Sequence, residues 1–161
     1  MKKFSILRHA KSEYQFGVKD IDRELNERGL NDCKLIGNWL KANTEKPDLI
    51  LCSTATRTRM TLDNILNQTT WDSKVEYVKE LYLPSLIDIF ELMRHQVEET
   101  KHILIIGHNF GFTDLYNHLS LNRLDNLPTC GFAQFSINKA WNELPLHKYK
   151  QLYFKTPKHL K

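Results

Sequence analysis

The chain is poor in cysteine. Cys33, Cys52 and Cys130 are odd in number, far apart and without a CxxC pair. That spacing argues against a disulfide framework and for reduced thiols in a cytoplasmic setting. Cys52 lies in an apolar run and reads as core. Long hydrophobic runs are also missing: nothing approaches the roughly 20 apolar residues that cross a bilayer. Met1-Lys2-Lys3 is followed by too few residues before Arg8 to hold the apolar part of a signal peptide. A cytoplasmic location with no membrane partner is therefore expected. Runs of one charge are short, since no Lys/Arg run exceeds a pair. The longest basic stretch, Lys148 to Lys158, is interleaved with Tyr149, Tyr153 and Phe154 and reads as a solvated strand edge. Nucleic acid is not expected as a partner. His95, His102, His118, His147 and His159 show no ligand spacing such as HExxH. No metal and no cofactor are expected.

What is present fits one α/β domain over residues 1–161. The apolar fraction of 41% and charged fraction of 26% are ordinary for a globular chain. A chain this long buries roughly two-thirds of its unfolded surface, enough for a core without staples. The net charge of +4 favours anionic ligands without naming one.

Strand and helix patterns alternate. "KKFSILR" reads as a strand, and residues 25–43 place Leu30, Leu35, Ile36, Trp39 and Leu40 at helical spacing, with Asn26 or Asp22 as cap. Pro47 precedes the apolar strand "DLILCS", after which Ser53 or Thr54 would cap a helix to about Gln68. "KVEYV" is a short strand. Residues 84–97 predict a helix with Leu86, Ile89, Phe90, Met93 and Val97 on one stripe. "KHILIIG" is the clearest strand, followed by a helical pattern carrying Phe112, Leu115, Tyr116 and Leu119. "GFAQFSIN" and "KYKQLYF" close the chain as strands. Trp39, Trp71 and Trp141 read as packing residues. This alternation predicts a three-layer α/β/α sandwich with a mostly parallel central sheet and helices on both faces. Ligands in such sheets gather at the carboxyl ends of the strands.

Three of those strand ends are unusual. The first ends at Arg8-His9, the second at Ser53 with Arg57 one helical turn further on, and the third at Gly107-His108-Asn109. If the strands are parallel neighbours, two guanidiniums, two imidazoles and a helix amino terminus meet on one rim. Such a set suits a phosphoryl group, because arginine offers planar paired donors and helix amino termini offer free N–H groups.

In order and placement, "RHAKS", Ser53-x3-Arg57-x3-Thr61 and "GHN" resemble the histidine phosphatase (phosphoglycerate mutase-like) superfamily across residues 3–137, and "LRHAKSE" with the compact length resembles its SixA-type phosphohistidine phosphatases. Ala10 stands where many relatives carry glycine. The resemblance implies that His9 is the nucleophile and that Arg8 and Arg57 clamp the phosphoryl oxygens and hold His9 neutral by repulsion. It implies that His108 donates to a phosphoryl oxygen, with Ser12 and Asn109 as auxiliary contacts. Arg59 is the neighbour most easily confused with Arg57, and the spacing to Ser53 and Thr61 selects Arg57. The family's loop carboxylate acid falls positionally on Glu80. The expected partner is a phosphorylated protein, such as a histidine phosphotransfer domain, or a small phosphate ester. Few residues between Asn67 and Lys101 remain to cap the site, which favours an open pocket. The alternatives are a broad-specificity small-molecule phosphatase and a non-catalytic phosphate-binding module.

Overall fold

The computed structural model describes residues 1–144 and 148–161, so His147 lies outside the described residues. In chain order the elements are β1 (Lys2–Arg8), α1 (Glu27–Asn43), β2 (Leu49–Ser53), α2 (Thr56–Thr69), β3 (Lys74–Val78), α3 (Leu86–Arg94), β4 (His102–Gly107), α4 (Gly111–Leu119), β5 (Phe132–Ile137) and β6 (Lys150–Lys155). The strands form one sheet in the order β3-β2-β4-β1-β5-β6. The β3–β2, β2–β4 and β4–β1 pairings are parallel, whereas β5 runs antiparallel to both β1 and β6. The basic stretch from Lys148 falls on β6 at the sheet edge, as its composition predicts.

Helices cover both faces because the central strands are apolar on both sides. In β2, Leu49 and Leu51 join Ile103 and Ile105 beneath α3 and α4, while Ile50 and Cys52 face the opposite layer with α1 and α2. Each such aliphatic side chain contributes roughly 1.5–3 kcal/mol when fully buried. α1 begins at Asn26, whose side chain accepts the Gly29 N–H at 2.9 Å. α3 begins with a capping box between Ser85 and Asp88. The three cysteines are free and buried.

Two local expectations are corrected. α3 ends at Arg94, so Val97 leaves the apolar stripe and is 61% exposed. Neither Ser53 nor Thr54 caps α2, whose N-cap position is Ala55 with no side-chain bond. Ser53 is engaged elsewhere, with a histidine of β4's carboxyl end.

The register sets the site. Arg8 pairs with Gly107, and Cys52 pairs with Ile106. The carboxyl ends of β1, β2 and β4 are therefore side by side on one rim.

Candidate active site

A cavity of about 370 Å³ opens at that rim, lined by Arg8, His9, Ser12, Arg57, His108 and Asn109, and also by Lys11, Tyr14, Asp20, Arg23, Leu83 and Thr129. Six of the seven residues singled out in the sequence therefore meet here. Arg59 points elsewhere: its guanidinium stacks 3.9 Å from the Tyr77 ring and its Nε donates to the Thr54 carbonyl.

His9 follows β1 directly and is nearly buried. Its backbone N–H donates to Gly107 O at 3.0 Å, which ties it to β4. The next N–H, of Ala10, donates to Thr61 Oγ1 at 3.0 Å, and that hydroxyl donates to Arg57 O at 2.7 Å. Thr61 thus holds the β1 turn against α2, and Ala10 fits there fully buried. The His9 ring lies with Nδ1 at 2.7 Å from the Ala10 carbonyl. A carbonyl only accepts, so Nδ1 carries the hydrogen and Nε2 is left with its lone pair. The ring is held neutral well below the usual histidine range. Burial is the leading cause; the Ala10 carbonyl opposes it, and His108, Arg57 and Arg8 add smaller like-charge effects. Repulsion from the arginines was the expected cause, and it turns out to be the lesser one.

His108 is 1% exposed, with Nε2 at 2.8 Å from Ser53 Oγ. Ser53 Oγ also accepts the Ala55 N–H at 3.3 Å. The hydroxyl hydrogen is then free to go to Nε2, which leaves Nδ1 as an N–H donor. That Nδ1 has no partner within the protein. Burial, followed by Arg57, pushes His108 down to about 3, so it is neutral in water near pH 7.

The two arginines are anchored through part of their forks. Arg8 donates from Nη1 to Leu127 O at 2.7 Å, and burial followed by Arg57 lowers its proton affinity. Arg57, 2% exposed, donates from Nη1 to the Asp20 backbone carbonyl at 2.6 Å and from Nη2 to Asp20 Oδ2 at 3.0 Å. The Nε–H of each arginine is buried without a partner. Buried unpartnered donors around a polar cavity are what an anion would satisfy.

The remaining expected residues separate. Ser12 lines the cavity. Asn109 lines it too, but its amide is spent on Asn126 Oδ1, on Leu127 O at 3.1 Å, and on Thr113 Oγ1 at 2.9 Å. It holds the strap that also anchors Arg8. Glu80 does not reach the cup. It is exposed in a short 3-10 turn and lines a different depression with Asp88, Glu91 and His95. Residues 79–81 turn back against the sheet, and Tyr82, two positions later, is the one that enters the site's surroundings. Its ring lies 5.4 Å from that of His108 and its hydroxyl donates to Asp20. Asp20, Tyr82 and Arg23 were not singled out beforehand. Among the described residues, Asp20 is the carboxylate that lines the cup, and no three His, Cys, Asp or Glu side chains gather as a metal-ligand set.

Sheet order, helical layers and a rim holding two arginines and two neutral histidines define the phosphoglycerate mutase-like class. The chain is similar to the histidine phosphatase superfamily: the model of that superfamily's branch 1 matches residues 4–82. An uncharacterized protein of Mycobacterium tuberculosis is 38% identical over 102 residues, covering 63% of this chain and 62% of the relative's length. The matched stretch is thus less than two-thirds of that relative. The Agrobacterium tumefaciens structure bearing the SixA name superposes with a TM-score of 0.84 at 25% identity, covering 97% of this chain and 98% of that one. A mycobacterial glucosyl-3-phosphoglycerate phosphatase bound to VO3 shares the fold at a TM-score of 0.67 and 14% identity, over 97% of this chain and 100% of that one.

Proposed function

We propose that this chain is a phosphatase that takes a phosphoryl group onto Nε2 of His9, passes it to water, and acts in the cytoplasm on phosphohistidine carried by a protein. The Nε2 lone pair attacks phosphorus while the bond to the leaving group breaks. As the new P–N bond forms, the His9 ring becomes cationic. The Ala10 carbonyl that fixed the tautomer then stabilises that charge. Arg8, Arg57 and the Nδ1–H of His108 take the three equatorial oxygens, matching the charge spread in the transition state. Water next attacks phosphorus, the P–Nε2 bond breaks, and the electron pair returns to His9. The water proton leaves to solvent and phosphate departs.

One observation carries the choice of substrate: among the described residues the cup holds no protonated carboxyl and no imidazolium to act as general acid. Asp20 is ionised, His9 and His108 are neutral, and Glu80 lies elsewhere. An alkoxide leaving from a phosphate ester needs a general acid. An imidazole leaving from a phosphohistidine protonated on its other nitrogen departs neutral and needs none. The cup's lining supports a macromolecular substrate. Tyr14 and Leu83 are part of it and are largely exposed, and Lys11 and Arg23 add positive charge.

The test is a panel scored by kcat/KM, with phosphohistidine peptides and a histidine phosphotransfer domain set against sugar phosphates and 3-phosphoglycerate, and His9→Ala as control. Phosphohistidine substrates are expected to lead by at least about tenfold, with no turnover by His9→Ala. Preference for an ester would make the chain a small-molecule phosphatase. Phosphate binding without turnover of anything would make it a binding module.

A further inference from the structure

A carboxylate inside an anion-binding cup needs a physical reason. Asp20 sits in the short 3-10 turn Asp20–Asp22, with its side chain 48% exposed. Its Oδ2 accepts from Arg57 Nη2 and from the Tyr82 hydroxyl, and its Oδ1 accepts from Arg23 Nε at 3.1 Å. Partial burial opposes ionisation, but Tyr82 and then Arg57 outweigh it and pull the carboxyl down to about 2. Asp20 therefore bears full negative charge whenever substrate arrives. Two of the five N–H groups of Arg57 are committed to this one residue.

We propose that Asp20 is a built-in competitor for Arg57, an internal anion that an arriving phosphoryl group must displace or sit beside, and that it thereby limits how tightly product phosphate is held. The inference rests on the cup being the phosphoryl site. Two routes lead to the same sign. If Asp20 stays in place, it repels a dianion a few ångströms away. If it swings into solvent, its ion pair with Arg57 is broken first. Either way, the carboxylate weakens anion binding. The advantage is turnover, because release of product limits many enzymes. A purely structural Asp20 would have the opposite effect, since losing it would loosen Arg57 and weaken binding. The backbone makes the distinction testable. Arg57 Nη1 donates to the main-chain carbonyl of Asp20, so a side-chain replacement leaves that anchor.

The experiment is calorimetric titration of the full chain with inorganic phosphate, and separately with tungstate, at fixed ionic strength. Asp20→Asn keeps the shape and one acceptor oxygen for Arg57 and Tyr82, gives up the acceptor for Arg23, and removes the charge. It is expected to bind phosphate about tenfold more tightly than the wild type, and Asp20→Ala is expected to shift the same way. With phosphohistidine peptide, the inhibition constant for phosphate should fall by the same factor, while the single-turnover rate changes less than kcat. Equal or weaker phosphate binding by both variants overturns the inference, as does binding by neither variant nor wild type. Failure of the phosphatase proposal looks different: the wild type binds phosphate but turns nothing over, and the Asp20→Asn shift in affinity is still read directly.

Discussion

The imidazoles of His9 and His108 lie 5.2 Å apart between ring centroids, tilted by 53°, on the ends of the adjacent strands β1 and β4. Each ring is locked through one nitrogen, His9 by the Ala10 carbonyl and His108 by the Ser53 hydroxyl. The pair offers opposite faces of the same chemistry, a lone pair on His9 and an N–H on His108. The Ser53 hydroxyl decides the second half of that arrangement. Ser53→Ala leaves His108 Nε2 unpartnered and lets the ring change tautomer. A lost hydrogen bond of roughly 0.5–1.5 kcal/mol predicts a fall in kcat/KM of up to about tenfold, with the circular dichroism spectrum unchanged. An activity within about twofold of wild type would show that Ser53 does not orient His108.

Glu80 serves as the contrast. It stands exposed on a separate surface, so Glu80→Gln is expected to change kcat/KM by less than about twofold on phosphohistidine and on phosphate esters alike. A large loss confined to the esters would make it a general acid that reaches the cup during turnover.

Gly29 ties helix packing to the site. A Cβ placed there would meet the Lys11 carbonyl oxygen at 2.2 Å, and that oxygen accepts the Asn26 N–H at the start of α1. Backbone cannot give way as a flexible side chain can. Gly29→Ala is expected to cost about 1–3 kcal/mol in urea unfolding and to lower kcat/KM, because Lys11 and Ser12 line the cup. Unchanged stability would show that the 10–25 loop moves freely against α1.

Buried histidines give stability a direction in pH. Burial holds His9 neutral, pushes His102 down to about 4 and His108 down to about 3. An unfolded chain takes up protons on all three as pH falls through about 6.5, while the folded chain does not. Below that point the unfolded state binds more protons, so stability falls as pH drops, chiefly between about pH 6.5 and 4. Each histidine contributes at most about 1.4 kcal/mol per pH unit to the slope. Urea midpoints measured from about pH 7.5 to 4.5 should decline steadily below 6.5. A flat profile would mean that these rings protonate without unfolding the chain.

The parallel core was legible because apolar runs such as Ile103–Ile106 admit only burial on both faces, and their polar ends at His9, Ser53 and His108 stood out against them. The reversed direction of β5 was not legible, since side-chain alternation is the same either way along a strand. The arginine to prefer was legible only through the family resemblance, whose Ser53-x3-Arg57-x3-Thr61 pattern selects Arg57; in the structure Arg57 lines the cavity and Arg59 stacks on Tyr77. Asp20 was not legible. It sits in a loop without periodicity, and its importance depends on a contact with Arg57 that only the folded loop creates. Glu80 shows the converse, a carboxylate placed by position in sequence that the turn at residues 79–81 directs outward.

Covalent capture at His9 is the most direct measurement. The chain, mixed with radiolabelled phosphohistidine peptide and quenched within its first turnover into alkali, where phosphohistidine survives, is digested and sequenced by mass spectrometry. Label on Nε2 of His9, absent from His9→Ala, is the expected result. Steady turnover with no phosphoryl group on His9, or undiminished turnover by His9→Ala, would contradict it.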